Sequence, residues 1–282
     1  MSSRPDAKPA LLILLAAVLV LAFFAVTGAI PQDPAYHRFA DTRSFLGLPN
    51  FWNVFSNLPL LLVGGCGLWQ ERRQRLVHDN PAGAPVYVLF FAGVALTGIG
   101  SAVYHWAPDN HTLFWDRLPM TIGFMALTVA ILAEHLGAGL AHRLLWPLLT
   151  TGAASVFYWQ VTEQLGRGDL RPYAVVQFLP LLMLPVVCLL LRSRFSRTGD
   201  LWLVLGWYVL AKLAEQFDTQ LFALTSGWLG GHALKHLLSA LAVWWLVRML
   251  RLRRSVDFGG KKDQGADGVA NSPASSNTAR AK

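Results

Sequence analysis

The chain is poor in charge and nearly free of cysteine. Asp, Glu, Lys and Arg make up 14% of its 282 residues, against about 25% in an ordinary soluble domain. That shortage excludes a charge-covered globular surface. The two cysteines, Cys66 and Cys188, both fall inside apolar runs. They read as small buried residues, so neither a disulfide framework nor a cysteine metal pair is available. No internal repeat is visible, which excludes solenoid and propeller architectures. The net charge of +8 does not call for nucleic acid, because most Lys and Arg lie at the ends of apolar segments, where membrane topology accounts for them.

What the chain does have is apolar length. Hydrophobic residues make up 54% of it, and the mean hydropathy is +0.41. Long apolar runs separated by short polar ones predict an all-α polytopic membrane bundle. Eight spans are expected: Ala10–Ile30, Phe51–Trp69, Ala84–Trp106, Leu118–His135, Ala141–Thr162, Ala174–Leu191, Leu201–Phe217 and His232–Leu250. The first is read as an uncleaved anchor, because its run is longer than a signal-peptide core. The expected domain plan is a cytoplasmic N-terminus (1–9), an extra N-terminal transmembrane helix (10–30), an outer loop (31–50), a seven-helix membrane domain (51–250) and a tail (251–282). The stretch from Ser255 to Lys282 is rich in Gly, Ser, Ala, Asn and charge and is expected to be disordered.

The basic residues orient this plan. With the N-terminus inside, the inner segments hold Arg4, Lys8, Arg72, Arg73, Arg75, Arg143, Arg192, Arg194, Arg197 and a last cluster from Arg248 to Arg254. The outer segments hold only Arg38, Arg43, Arg117, Arg167 and Arg171. Both termini are therefore expected to be cytoplasmic. The 11 Trp and 6 Tyr read mostly as interfacial belt residues.

Polar residues inside spans mark function, because a bilayer makes them costly. His232 and His236 lie four apart at the start of the last span, on one helix face. His105 ends the third span, Ser101 lies one turn before it, and Asp116 follows after a short loop expected over Ala107–Leu113. All five fall on the outer side. Three imidazoles with an open fourth position suit a catalytic Zn2+. Such an ion lowers the pKa of water and polarises a carbonyl. Asp116 could move the proton, and Ser101 could hydrogen-bond the developing oxyanion. Each residue alone has a plainer role: an interhelical hydrogen bond for His105, packing for Ser101, a helix N-cap for Asp116. His111 is an alternative ligand on a loop. His37, His78, His135 and His142 are given no catalytic part. Lys212 with Glu215 and Lys235 with Asp218 read as internal ion pairs.

Ser101-x3-His105, the step to Asp116 in Asp-Arg-Leu-Pro-Met, and His232-x3-His236 together resemble the alkaline ceramidases, within the CREST superfamily of membrane hydrolases that includes the adiponectin receptors. Phe51-Trp-Asn53-x2-Ser56-Asn57 is similar to that family's first core helix. The resemblance spans residues 41–250. It implies a seven-helix core, zinc on His105, His232 and His236, active-site roles for Ser101 and Asp116, and hydrolysis of a ceramide amide to a fatty acid and a sphingoid base. It also implies an extracytoplasmic site. Some of these enzymes bind Ca2+ through an acidic N-terminal loop and an acidic residue before the first core helix. Here Asn50 stands in that place and the loop has only Asp33 and Asp41, so calcium of that type is not expected. Arg117 stands where the family has an acid. A receptor or transporter with a structural zinc, and a lipid esterase, are the competing readings. The expected partners are a lipid substrate and the bilayer, with no nucleic acid. The oligomeric state is left open. The lack of a eukaryotic retrieval signal favours a bacterial inner membrane.

Overall fold

The computed structural model describes residues 7–73 and 84–256. Arg4, Arg75, His78 and the tail beyond Val256 lie outside the described residues. Among those described there is no strand. The helices are α1 (Lys8–Val26), α2 (Phe51–Phe55), α3 (Leu58–Arg72), α4 (Ala84–Trp106), α5 (Asn110–Leu136), α6 (Ala138–Gln164), α7 (Arg171–Leu190), α8 (Asp200–Gln216), α9 (Asp218–Leu224) and α10 (Gly231–Leu252), with a short 3-10 helix over Pro34–His37.

Among the described residues, six stretches are long and apolar enough to cross a membrane: α1, α2 with α3, α4, α5, α7 and α10. Of the two other expected spans, α8 has only 17 residues, and α6, at 27 residues, is less apolar. The result is a multi-pass helical membrane protein. Large apolar side chains such as Leu62, Trp146, Leu182 and Leu189 stand exposed on the helix faces, which fits a lipid solvent rather than water.

Local chemistry sets the boundaries. Asp109 Oδ1 accepts from Thr112 N at 2.6 Å, and Thr112 Oγ1 accepts from Asp109 N at 3.1 Å. This reciprocal capping box starts α5 eight residues before the span expected at Leu118, and the expected Ala107–Leu113 loop shrinks to Ala107–Asp109. Asp116 is therefore not a cap but lies in the second turn. The first core span is broken at Ser56–Asn57, with Pro59 opening α3. Gly137, at φ 116°, turns the chain between α5 and α6.

Close approach of α4 and α5 aligns their functional residues. A Cβ on Gly100 would lie 2.0 Å from Trp115 O, so only glycine lets the two backbones meet there. That contact sets Ser101 beside Asp116. At the start of α10, beside His232, Gly231 is equally confined, with Ala214 O at 2.1 Å from a built Cβ.

The end opposite the histidines is closed by a charged lock. Buried Glu134 accepts from Tyr87 Oη at 2.5 Å and pairs with Arg253 Nη1. Arg253 also stacks its guanidinium 4.4 Å from the Phe195 ring. Residues 253–256 are thus held in place: Phe195 and Ser255 form a bridge, and Val256 N donates to Arg194 O at 2.8 Å. Ser255 and Val256, expected to belong to a disordered tail, are therefore ordered, and the rest of that stretch lies outside the described residues. Cys66 is exposed and Cys188 half-buried, correcting the reading of both as buried. On α3, Cys66 lies on the outward face, where a thiol meets lipid at little cost.

α1 is apolar on every side. Only Leu12 is buried. Its C-terminal end is tied to α7, where Arg171 Nη1 donates to Thr27 O and Leu170 N to Ile30 O, both at 2.8 Å.

Candidate metal centre

His105, His232 and His236 converge. One ligand atom from each lies within 4.8 Å of the others, and no other such group occurs among the described residues. His105 and His232 bring their Nε2 atoms to 3.3 Å. All three rings are buried.

Their neighbours orient them. Ser56 Oγ donates to Asn53 O and lies 2.7 Å from His236 Nδ1. Ser56 therefore accepts from His236 Nδ1–H, which leaves Nε2 with its lone pair. That Nε2 atom is buried without a partner, as is His105 Nδ1. Asn50 Nδ2 donates to the His105 carbonyl at 2.9 Å. Asp218 Oδ1 accepts from His232 N at 2.8 Å, and its Oδ2 from Ala40 N at 2.8 Å. Phe39 packs 4.7 Å from both the His105 and His232 rings.

Unpartnered buried imidazole nitrogens are what a metal would satisfy. The donor set of three neutral imidazoles suits Zn2+. One contact has to change for an ion to be held: Lys235 Nζ lies 2.8 Å from His232 Nε2. Lys235 keeps a second partner, Glu215 Oε1 at 2.9 Å.

Asp116 and Ser101 are both buried. Both line a cavity with His236 and Lys235. All five expected site residues thus gather at one end of the bundle. His111 is exposed on the first turn of α5 and belongs to no metal cluster. His37 is taken up by Tyr104 Oη and Asn110 Oδ1, both at 3.0 Å. His135 Nδ1 lies 2.8 Å from Ile131 O.

The expected Lys235–Asp218 pair does not form. Both Asp218 oxygens are committed to backbone N–H groups, so Lys235 turns to Glu215, which also pairs with Lys212. Tyr36 Oη donates to Glu215 at 3.2 Å. Burial and that carboxylate push the Tyr36 phenol well above its ordinary range, so it stays a donor.

The calcium-type positions are otherwise engaged. Asp33 accepts from Ala35 N at 2.8 Å. Asp41 holds the Arg43 guanidinium at 2.6 and 2.8 Å. Asn50 turns a donor, not an oxygen, toward the site. These residues do not fit a calcium ion.

The cavity has a volume of about 1210 Å³. It runs from Ser101, Asp116 and His236 along α5 to Gly137 and Leu140, with Leu12, Ile13 and Ala16 of α1 in its wall. From Asp116 to Leu136 that is about 30 Å of helix. Its lining is mostly apolar.

A helical membrane bundle with three clustered buried imidazoles, one of them lining a long apolar cavity, defines a membrane protein with a candidate metal site beside an apolar cavity. A family model for ceramidases matches residues 48–194, just over half of the chain, and the protein belongs to the ceramidase family. Membership implies a membrane hydrolase acting on amide bonds, with a lipid as substrate. Ser101, His105 and Asp116 lie inside the match, which is narrower than the expected 41–250. His232 and His236 lie beyond it, so their inclusion rests on geometry. No curated protein is a match for this chain.

Two parts of the site escaped the sequence. Ser56 sits in a quoted motif without a role, and its partner is 180 positions away. Phe39 lies in a segment expected to be only a loop. Neither pairing leaves a local spacing signal.

Proposed function

We propose that the protein is a zinc-dependent amidase that cleaves ceramide-like N-acyl lipids to a fatty acid and an amine base. The observation that carries this reading is the meeting of His105, His232 and His236 beside Asp116 and Ser101 at the head of a lipid-sized apolar cavity.

A zinc held by the three imidazoles supplies a Lewis acid and an acidified water. The chain's own groups do the rest. The Asp116 carboxylate takes the proton of the attacking water and returns it to the departing amine nitrogen. Ser101 orients that carboxylate through its hydroxyl. Ser56 fixes the His236 ring, as groups behind metal ligands commonly do. The cavity holds the apolar chain and keeps bulk water away.

The site is proposed to face the extracytoplasmic side of a bacterial inner membrane. In support, Arg72, Arg143, Arg192, Arg194 and Arg251 lie at the end away from the histidines, and positive charge favours the cytoplasm. A structural clamp would need a fourth protein ligand. His111 is exposed and Asp116 lies outside the ligand cluster, which speaks against that alternative.

The test is purified protein assayed on matched N-acyl and O-acyl lipids, with and without chelator, alongside His232→Ala. The expected result is about one zinc per chain, chelator-sensitive cleavage of N-acyl lipids, and loss of both in the variant. Cleavage of O-acyl lipids alone would make it an esterase. Bound metal without turnover would favour the receptor or transporter reading.

A further inference from the structure

Arg117 is a buried cation without an acidic partner. Its side chain is 6% exposed. Nη2 donates to Gln32 Oε1 at 2.7 Å, while Nη1 is buried with no partner at all. Its remaining neighbours are aromatic faces: Trp159 at 4.4 Å, Tyr173 at 4.9 Å and Tyr36 at 5.7 Å from the guanidinium carbon. Among the described residues it makes no salt bridge, although Asp116 is its chain neighbour.

Buried charges are normally paired, because removing an ion from water is costly. Arg117 lines the cavity next to Asp116. At that end the lining carries three cations (Arg117, Lys212 and Lys235) against two carboxylates (Asp116 and Glu215). Glu215 is already shared by both lysines. That leaves one positive charge in excess, and among these three cations Arg117 is the one without a salt bridge. Three rings hold the fork in place, and its buried Nη1–H groups lack an acceptor of the kind a planar or tetrahedral oxyanion would supply. Below it the cavity is apolar. The complementary ligand therefore has an oxyanion at its head and a long hydrocarbon chain behind it.

We propose that Arg117 is the binding site for an anionic lipid, taking the oxyanion on Nη1 while the chain lies in the cavity along α5. The oxyanion is the carboxylate of a released fatty acid or an acidic group on the substrate's headgroup. This rests on the reading of the cavity as the lipid site, but not on hydrolysis.

The test uses full-length protein in uncharged nanodiscs, stripped of metal by chelator so that no ion can hold the anion. Binding of hexadecanoate is compared with hexadecanol, and a phosphate-headed N-hexadecanoyl lipid with its uncharged counterpart. The wild type should prefer at least one anion by about tenfold or more. Preference for hexadecanoate assigns the site to the product, and preference for the phosphate lipid alone assigns it to the substrate. Arg117→Met should bring the ratio close to unity with an unchanged melting temperature. If that variant does not fold, Arg117→Lys replaces it, and a several-fold fall in the ratio is expected. A wild type without anion preference, or a folded variant that keeps it, overturns the proposal. Anion preference in a protein that cleaves no lipid after zinc is restored would sink the amidase reading and leave this one standing.

Discussion

The two ends of the bundle bury polar groups in opposite ways. At the end opposite the histidines, Glu134 receives Tyr87 and Arg253, so each charge meets its opposite. At the histidine end, three like rings face one another, and His105 and His236 each keep a nitrogen unpaired. The first cluster joins the ends of helices. The second is poorly satisfied as it stands, which marks it as a place for something else to bind. The contrast is not total, since Arg253 Nη2 and Glu71 Oε2 also lack partners. Charge balance separates the two ends more sharply than the number of unsatisfied atoms.

Substitutions at each end should break different properties. Asp116→Asn keeps the shape but removes the proton acceptor, and turnover should fall about 10²–10⁴-fold. Zinc content, measured by elemental analysis, should stay near wild type. Glu134→Gln leaves Arg253 buried without its counter-charge and should cost roughly 3–5 kcal/mol of stability. Denaturation in detergent would report that loss, while turnover per folded molecule stays level. An equal fall in turnover would erase the distinction between the ends. Ser56→Ala should act most mildly, weakening metal affinity about 10–100-fold without lowering the melting temperature. A competition titration against a chelator of known affinity measures it, and an unchanged affinity would show that Ser56 does not hold the ring.

Much of the histidine end could be read from the chain because its signals are short-range. His232 and His236 share a face through helical spacing, as do Ser101 and His105. The sidedness of the charges put all of them at one depth. The helical class followed from apolar run lengths. What stayed hidden depends on contacts between distant segments or on local capping. The start of α5 was signalled by Asp109 and Thr112, but the polar run before Leu118 looked like loop. Lys235 was paired with the wrong acid because the commitment of Asp218 to Ala40 and His232 is visible only in three dimensions. Arg117 looked like a departure from a motif, and its aromatic box comes from three separate elements.

Asp218 has one further consequence. One of its oxygens holds the backbone of Ala40 and the other the backbone of His232. A single carboxylate thus couples the polypeptide ahead of the first core helix to the helix that carries two of the histidines. Displacing that leading strap would tug directly on His232, so its position and the geometry of the imidazole cluster are mechanically one variable.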